Sequence, residues 1–424
     1  MVRAFSTSPR GGRDGVWVGS EIGRLRAVLV HTPGPELLAV TPANRHDFLF
    51  TDILNVSQAR REHARFKAIL ERFADVYEVQ DLLVEIAEIP EARRFLLEAS
   101  RDVIGAEYAA ALYDAPADRF VRVFIEGEEQ RGGALAEYLN AWGYALPPLP
   151  NLFYTRDSAI VTGSQVVIAS MRHEVRWSEE LLMKALFRFH PLLRNDGILY
   201  DGTEEKRVNH SVEGGDVHLL RPDLVLVGQS DRTSAAAIDH LAELWFERTE
   251  VRDVLVVVMP RDRAMIHLDM IFTMVDRELC CVYPPHFIGP ARLPVLQLSK
   301  GKKGIREMPN LFTALARVKC PLEPIFCGGP RRTEQDREQW SSACNFLAVA
   351  PGQVVAYGRN EHTLEAMQRD GGYRLVEADD FLTGQDRVEP GERVVIAFDA
   401  AELVRGGGGP RCMSLPVRRE PLEP

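Results

Sequence analysis

Seven short runs of β-branched and other apolar residues punctuate this chain, and their recurrence limits its architecture more than any other feature. They are LRAVLVHTPG (25–34), QVVIAS (165–170), LVLVGQS (224–230), DVLVVVMP (253–260), MIFTMVD (270–276), QVVAYGR (353–359) and RVVIAF (393–398). Each is bounded by turn residues, so each predicts a strand of a few residues. Between most of them lie stretches with apolar residues at helical spacing, as in Ser57–Phe73, Ser178–His190 and Ala235–Arg248. Alternation of short strands with amphipathic helices argues an α/β fold. The repetition points to one unit repeated around a centre, with spacing too uneven to count the copies.

The region from 80 to 146 departs from this rhythm. VQDLLVEIAEI, EARRFLLEASRDVI and GALAEYLNAWGYAL carry helical periodicity with almost no strand signal. We read it as a helical insertion, with the Pro-rich LPPLPN (146–151) marking the return to strands. The segment MVRAFSTSPRGGRDG is basic and rich in Ser and Gly without an apolar h-region, so 1–18 reads as a disordered tail in preference to a transit peptide. The length of 424 residues allows two to three ordinary domains or one large architecture with an insertion, and we read 19–424 as a single catalytic domain.

The formal net charge is −10 with no block of Lys and Arg, which disfavours nucleic acid and anionic membranes as partners. No apolar run approaches the ~18 residues that cross a bilayer. Six cysteines, at 280, 281, 320, 327, 344 and 412, include no CxxC pair, so neither a zinc knuckle nor a dithiol redox site is supported. Cys280 and Cys281 lie in an apolar run and read as small buried hydrophobes. The expected setting is a reducing cytoplasm with free thiols.

Five segments could carry chemistry. Cys412 lies three residues after the run Gly406–Gly409, with Pro410 and Arg411 between. A glycine run packs poorly but lets backbone turn tightly or approach a ligand, and a cysteine delivered by one is a candidate nucleophile. In NLFYTRD (151–157), Arg156 and Asp157 would by themselves make an ordinary surface salt bridge. In VEGGDV, Glu213 and Asp216 flank two glycines, either as a tight turn with solvated acids or as backbone close to something small. In MIHLDMIFTMVD, His267 and Asp269 are two apart in an apolar run. On a strand they would share a face, and burying both is costly unless they are paired or ligand-bound. Arg176 and Arg232 sit at strand–helix edges, where single arginines are common.

Together these residues suggest a substrate. Carboxylates bind a cation, and they match a guanidinium in bidentate fashion. Arginines bind a carboxylate. A planar cation at one end and a carboxylate at the other describes a guanidino acid. A thiolate could then attack its central carbon while His protonates the departing nitrogen and later activates water.

The chain resembles the arginine deiminase family of guanidine-modifying enzymes. The resemblance runs from SEIGRLRAVLVHTPG to RCMSLP, with NLFYTRD, EGGDV, SDRTSAAAI, HLDMIFTMVD and RGGGGPRCMSLP in the family's order. It implies a five-bladed α/β propeller of ββαβ-type units, with the helical segment as an inserted domain. It implies hydrolysis of L-arginine to L-citrulline and ammonia without metal or organic cofactor, by a homo-oligomer (dimer or tetramer). Cys412 then corresponds to the nucleophile, His267 to the general acid/base, Glu213 to its carboxylate partner, and Asp157 and Asp269 to the pair gripping the guanidinium. Arg176 and Arg232 fall where the substrate carboxylate is bound, with Asn151 nearby. Tyr154, Asp216 and Gly407 complete the implied substrate-binding set. TPANRHDFLFTD (41–52) resembles the mobile loop over the substrate.

The chain also departs from the family's pattern. Tyr154 stands where a Phe is usual, Ser158 where a Pro is usual, and Gly407 where some members carry an Arg. Residues 382–398 look like an insertion. An amidinotransferase would use the same thiol and intermediate, and only admission of an amine acceptor separates the two. A non-catalytic guanidine-binding homologue would be expected to lack Cys412 or His267. A cysteine hydrolase of neutral amides would leave two aspartates with no cation to hold.

Overall fold

Six small sheets make up the described part of the chain, and five of them share one local plan. The computed structural model describes residues 15–130, 133–139, 143–205 and 207–422. In each of the five, two antiparallel strands are joined by a parallel third. Ala159–Thr162 and Gln165–Ile168 pair antiparallel, and Ile198–Asp201 runs parallel to the second. Val217–Arg221, Leu224–Gln229 and Asp253–Val258 repeat this, extended by Val295–Ser299 and Arg306–Met308. Phe272–Met274, Leu279–Val282 and Glu323–Phe326 repeat it again. In the fourth, Leu347–Ala350 and Gln353–Tyr357 are joined by Val394–Phe398, with Arg374–Glu377 outside.

The fifth sheet joins the two ends of the chain. Leu415–Arg419 pairs antiparallel with Leu25–Val30, which runs parallel to Asp75–Glu78. This matters for the site, because Cys412 lies three residues before the closing strand and is carried to a fixed place by it.

Seven expected strands are present with shorter bounds, and the three quoted helices form as Val56–Leu70, Trp177–Phe189 and Ala235–Arg248. Their starts have local causes. Asn55 and Ser234 cap by accepting from the Gln58 and Ala237 amides. Leu224–Gln229 is buried almost throughout, which explains its unbroken apolar run rather than an alternating one.

The helical segment comprises Val79–Ala87, Pro90–Ile104, Ala106–Tyr113 and Ala117–Glu126, then a short hairpin of Glu128–Gln130 with Gly143–Leu146. Its buried Phe120, Phe124 and Leu82 share a core with Leu29, Val166 and Ile168 of the sheets.

Three expectations need correction. The tail predicted over 1–18 falls outside the described residues for 1–14, but Gly15–Val18 is held by the fold. Val16 and Val18 are buried, and Trp17 bridges to Arg418. The alternation in Val16-Trp17-Val18 is a short strand pattern hidden beside Ser and Gly. His267 and Asp269 are not on a strand: His267 precedes the 3-10 turn Leu268–Met270, and the strand begins at Phe272. In 382–398, Val394–Phe398 is an inner strand between two neighbours, hence integral to its sheet. Among the described residues, no helix is long and apolar enough to cross a membrane.

Candidate active site

Glu213 is extended just before the 3-10 turn Gly214–Asp216, and it is fully buried. It accepts from His267 Nε2 at 2.8 Å, Arg232 Nη1 at 3.0 Å and the Arg172 amide at 3.0 Å. The adjacent Gly215 has the His267 ring packed on it, so closely that a Cβ there would lie 2.5 Å from Nδ1. Burial alone would raise the Glu213 carboxyl, but Arg232, His267 and Arg176 hold it well below the usual range. Burial likewise disfavours the charged imidazole, yet Asp157, Glu213 and Asp216 outweigh it and push His267 up to about 9. The ring is therefore an imidazolium at neutral pH, with Nε2–H given to Glu213 and Nδ1–H directed at Asp157 Oδ1, 3.7 Å away.

Asp157 belongs to a second, contiguous cluster. Arg176, in the turn that opens helix Trp177–Phe189, donates Nη1 to Asp157 Oδ2 at 2.9 Å. Its Nε and Nη2 form a bidentate pair with Glu179 at 2.8 and 2.7 Å. All three guanidinium nitrogens thus rest on carboxylates of the protein.

The thiol approaches from the other side. Gly406 and Gly408 lie against the Tyr154 ring, where side chains at either position would collide with it. Gly407 has φ +94° and opens into free space. Cys412 Sγ lies 3.5 Å from Asp269 Oδ2 and 3.1 Å from Asn345 Nδ2. Burial, with the charges of Asp269 and Asp157, pushes the thiol well above its ordinary value. Asp269 Oδ2 also accepts from Arg411 Nη1 at 2.8 Å, and Arg411 is paired on its far side with Glu21 at 3.0 and 3.1 Å.

Each of the two aspartates therefore has one oxygen engaged by a protein arginine. The other oxygen of each, Asp157 Oδ1 and Asp269 Oδ1, is buried and accepts no hydrogen bond. Orphaned buried acceptors are costly, and two beside one thiol form a place lacking a donor-rich cation. Asp157, Glu213 and His267 offer ligand atoms within 4.8 Å of one another, a spacing that could hold a metal ion. Arg176 and Arg232 already bring positive charge to those carboxylates.

A cavity of about 600 Å³ shares Arg232 with this cluster, with Met270, Gly406 and Gly407 also in its walls and His46, Leu49, Thr51 and Asp52 of the 41–52 loop among its lining. That loop is tied down by Asn151 Nδ2 to the Phe48 carbonyl (2.8 Å), Arg263 Nη2 to the Phe50 carbonyl (3.0 Å) and Arg405 Nε to Asp52 (2.9 Å).

The profile of the arginine deiminase family matches residues 46–111 and 120–419. The chain belongs to the arginine deiminase family. An arginine deiminase of Listeria welshimeri is 32% identical over 425 residues, covering 96% of this chain and 98% of that one. One of Treponema denticola is 31% identical over 437 residues, with the same coverage. Among solved structures, an amidinotransferase of saxitoxin biosynthesis from Microseira wollei superposes with TM-score 0.54 at 14% identity, covering 96% of this chain and 98% of that one. A dimethylarginine dimethylaminohydrolase variant superposes with TM-score 0.50 at 15% identity over 92% of this chain and 99% of that one. These two likenesses concern the fold: mixed α/β with small sheets.

In this arginine deiminase family member, Cys412, Asp269, Asp157, His267, Glu213, Arg176 and Arg232 lie together in one buried cluster, where Arg176, expected at the substrate carboxylate, is instead turned to Asp157 and Glu179. Asp216 lies one layer back. It accepts from the Leu268 amide at 2.9 Å and Ser230 Oγ at 2.6 Å, bracing the His267 turn, and burial raises it to about 6. Asn151 holds the 41–52 loop, and Gly407 lines the cavity. Sequence reasoning missed Glu179, Arg411, Glu21 and Asn345. Glu179, three residues after Arg176, was findable as a helical i,i+3 pair, and Arg411 stood beside Cys412. Glu21 and Asn345 gave no local signal.

Proposed function

We propose that this chain hydrolyses L-arginine to L-citrulline and ammonia through a covalent intermediate on Cys412. The observation that carries this is the pair of unsatisfied buried oxygens, Asp157 Oδ1 and Asp269 Oδ1, beside a buried thiol. A guanidinium supplies N–H donors to both.

Its charge also offsets the two acids that hold the thiol protonated, so the thiol sheds its proton to solvent. The thiolate forms the C–S bond at the guanidinium carbon. His267 Nδ1–H passes to the departing nitrogen, which leaves as ammonia, and a positively charged amidino-thioether remains. The neutral ring then takes a proton from water as its oxygen attacks the same carbon. The C–S bond breaks, the thiolate returns, and loss of one proton gives the ureido group of citrulline. Glu213 keeps the ring oriented and stabilises its charged form. Arg232, in the cavity wall, is our candidate for the substrate carboxylate, whereas Arg176 steers Asp157.

We also infer that the five sheets are the blades of a propeller with the site at its centre. The shared plan of antiparallel pair plus parallel strand supports this, as does the closing of one sheet by both chain ends. The function is tested by incubating the protein with L-arginine, with and without an amine acceptor. Citrulline and ammonia in equal amounts are expected in both; transfer of the amidine to the amine would replace hydrolysis by transfer.

A further inference from the structure

We infer that Asn345 is a catalytic residue that donates a hydrogen bond to the Cys412 thiolate. Asn345 is buried in the turn between helix Arg332–Trp340 and strand Leu347–Ala350. Two backbone groups fix its amide. Its Oδ1 accepts from the Cys412 N–H at 3.0 Å, so that atom must be the oxygen. Its Nδ2 faces the Asp269 carbonyl at 3.2 Å, so that atom must be the nitrogen. With the orientation set, the second N–H points at Cys412 Sγ, 3.1 Å away.

The glycine run is shaped to this contact. A Cβ on Gly409 would lie 2.8 Å from the Asn345 Cβ, so only glycine lets the loop press against the amide. One side chain thereby fixes the nucleophile's backbone, its sulfur and the backbone of Asp269. A thiolate accepts a hydrogen bond more strongly than a thiol does, so the Nδ2–H favours the charged sulfur. It opposes burial and the charges of Asp269 and Asp157, which favour the thiol.

This inference rests on Cys412 being the nucleophile, and two readouts separate the claims. The first is citrulline formation. The second is the pH dependence of Cys412 alkylation by 2-chloroacetamidine, a small cationic electrophile, followed by mass spectrometry. In Asn345→Ala we expect kcat to fall about 30-fold with KM within about threefold, and the alkylation midpoint to rise by about one pH unit. Asn345→Asp keeps the size of the side chain and an acceptor for the Cys412 amide, and serves if the alanine variant does not fold. It should raise the midpoint further, because a carboxylate replaces the donor. Normal alkylation of the wild type with an unmoved midpoint in both variants would overturn the role of Asn345 alone. A wild-type Cys412 that is neither alkylated nor needed for citrulline formation would overturn the nucleophile reading as well.

Discussion

The two sides of this site are built on different principles. The His267 side is held by charge: Glu213, Asp157 and Glu179 are interlaced with Arg176, Arg232 and the imidazolium, and most of these groups have two or more charged partners. On the Cys412 side charge pairs Arg411 with Asp269 and Glu21, but the thiol itself is placed by shape. The glycines let the loop close on Tyr154 and Asn345, and one amide clamps the sulfur. Dense charge fixes protons in place, so the His267 side is suited to storing and returning one. A thiol pressed between backbone and amide has a defined position but is kept uncharged by its surroundings until a cation arrives. The contrast predicts that changes on the thiol side act mainly on bond formation, and changes on the His267 side mainly on pH dependence.

The largest expected effect is on the thiol side. Cys412→Ser should leave no measurable citrulline, because a hydroxyl in this environment is far harder to ionise than a thiol. Turnover within about tenfold of wild type would remove the nucleophile and the contrast with it. Next comes Asp269→Asn, which weakens both the Arg411 pair and the grip on substrate. Removing one partner from a buried charge pair costs about 3 kcal/mol or more, so kcat/KM should fall by roughly 150-fold. Steady-state kinetics on the variant at a temperature where it remains folded decides this, and near-normal kcat/KM would mean that the guanidinium lies elsewhere.

The same contrast explains what could be read from the chain. On the His267 side, Glu213, Asp157, Arg176 and Arg232 were legible through the family's motifs, since residue pattern alone left them as surface groups or a turn, and Glu179, only 3 residues from Arg176, was missed. The Cys412 side was legible only as a glycine loop with a thiol. Its partners come from far away, Asn345 from 67 residues upstream and Glu21, behind Arg411, from 390. No local pattern marks an asparagine in SSACNF as the residue facing a thiol. Strands and helices followed from periodicity, but the His267–Asp269 segment did not. Two polar residues in an apolar run share a strand face only if the run is a strand, and here a 3-10 turn sends them to different partners.

A smaller effect concerns the cavity. If Arg232 receives the substrate carboxylate, agmatine, which lacks that group, should be turned over with kcat/KM lower by about 100-fold, a hydrogen-bonded charge pair being lost. Arg232→Lys should shrink the preference for arginine over agmatine. Equal kcat/KM for the two substrates in wild type would show that the carboxylate is not recognised there.

The smallest effect is the most diagnostic of the charge-held side, because it needs no substrate. His267 faces Asp157, Glu213 and Asp216, with Arg176 on Asp157 and both Arg176 and Arg232 on Glu213, and its folded value is pushed from 6.5 up to about 9. The folded protein therefore holds a proton that the unfolded chain has already released between those two values. Stability contributed by the imidazolium is complete below about pH 6.5 and is lost as the pH climbs through about 9. The melting-temperature difference between wild type and His267→Gln should accordingly narrow over that window, in favour of the variant as pH rises. Citrulline formation by wild type should decline through the same upper value as Nδ1 loses its proton. Parallel melting curves across the window would show that the ring is already neutral in the folded protein, and the division into a charge-held side and a shape-held side would fail.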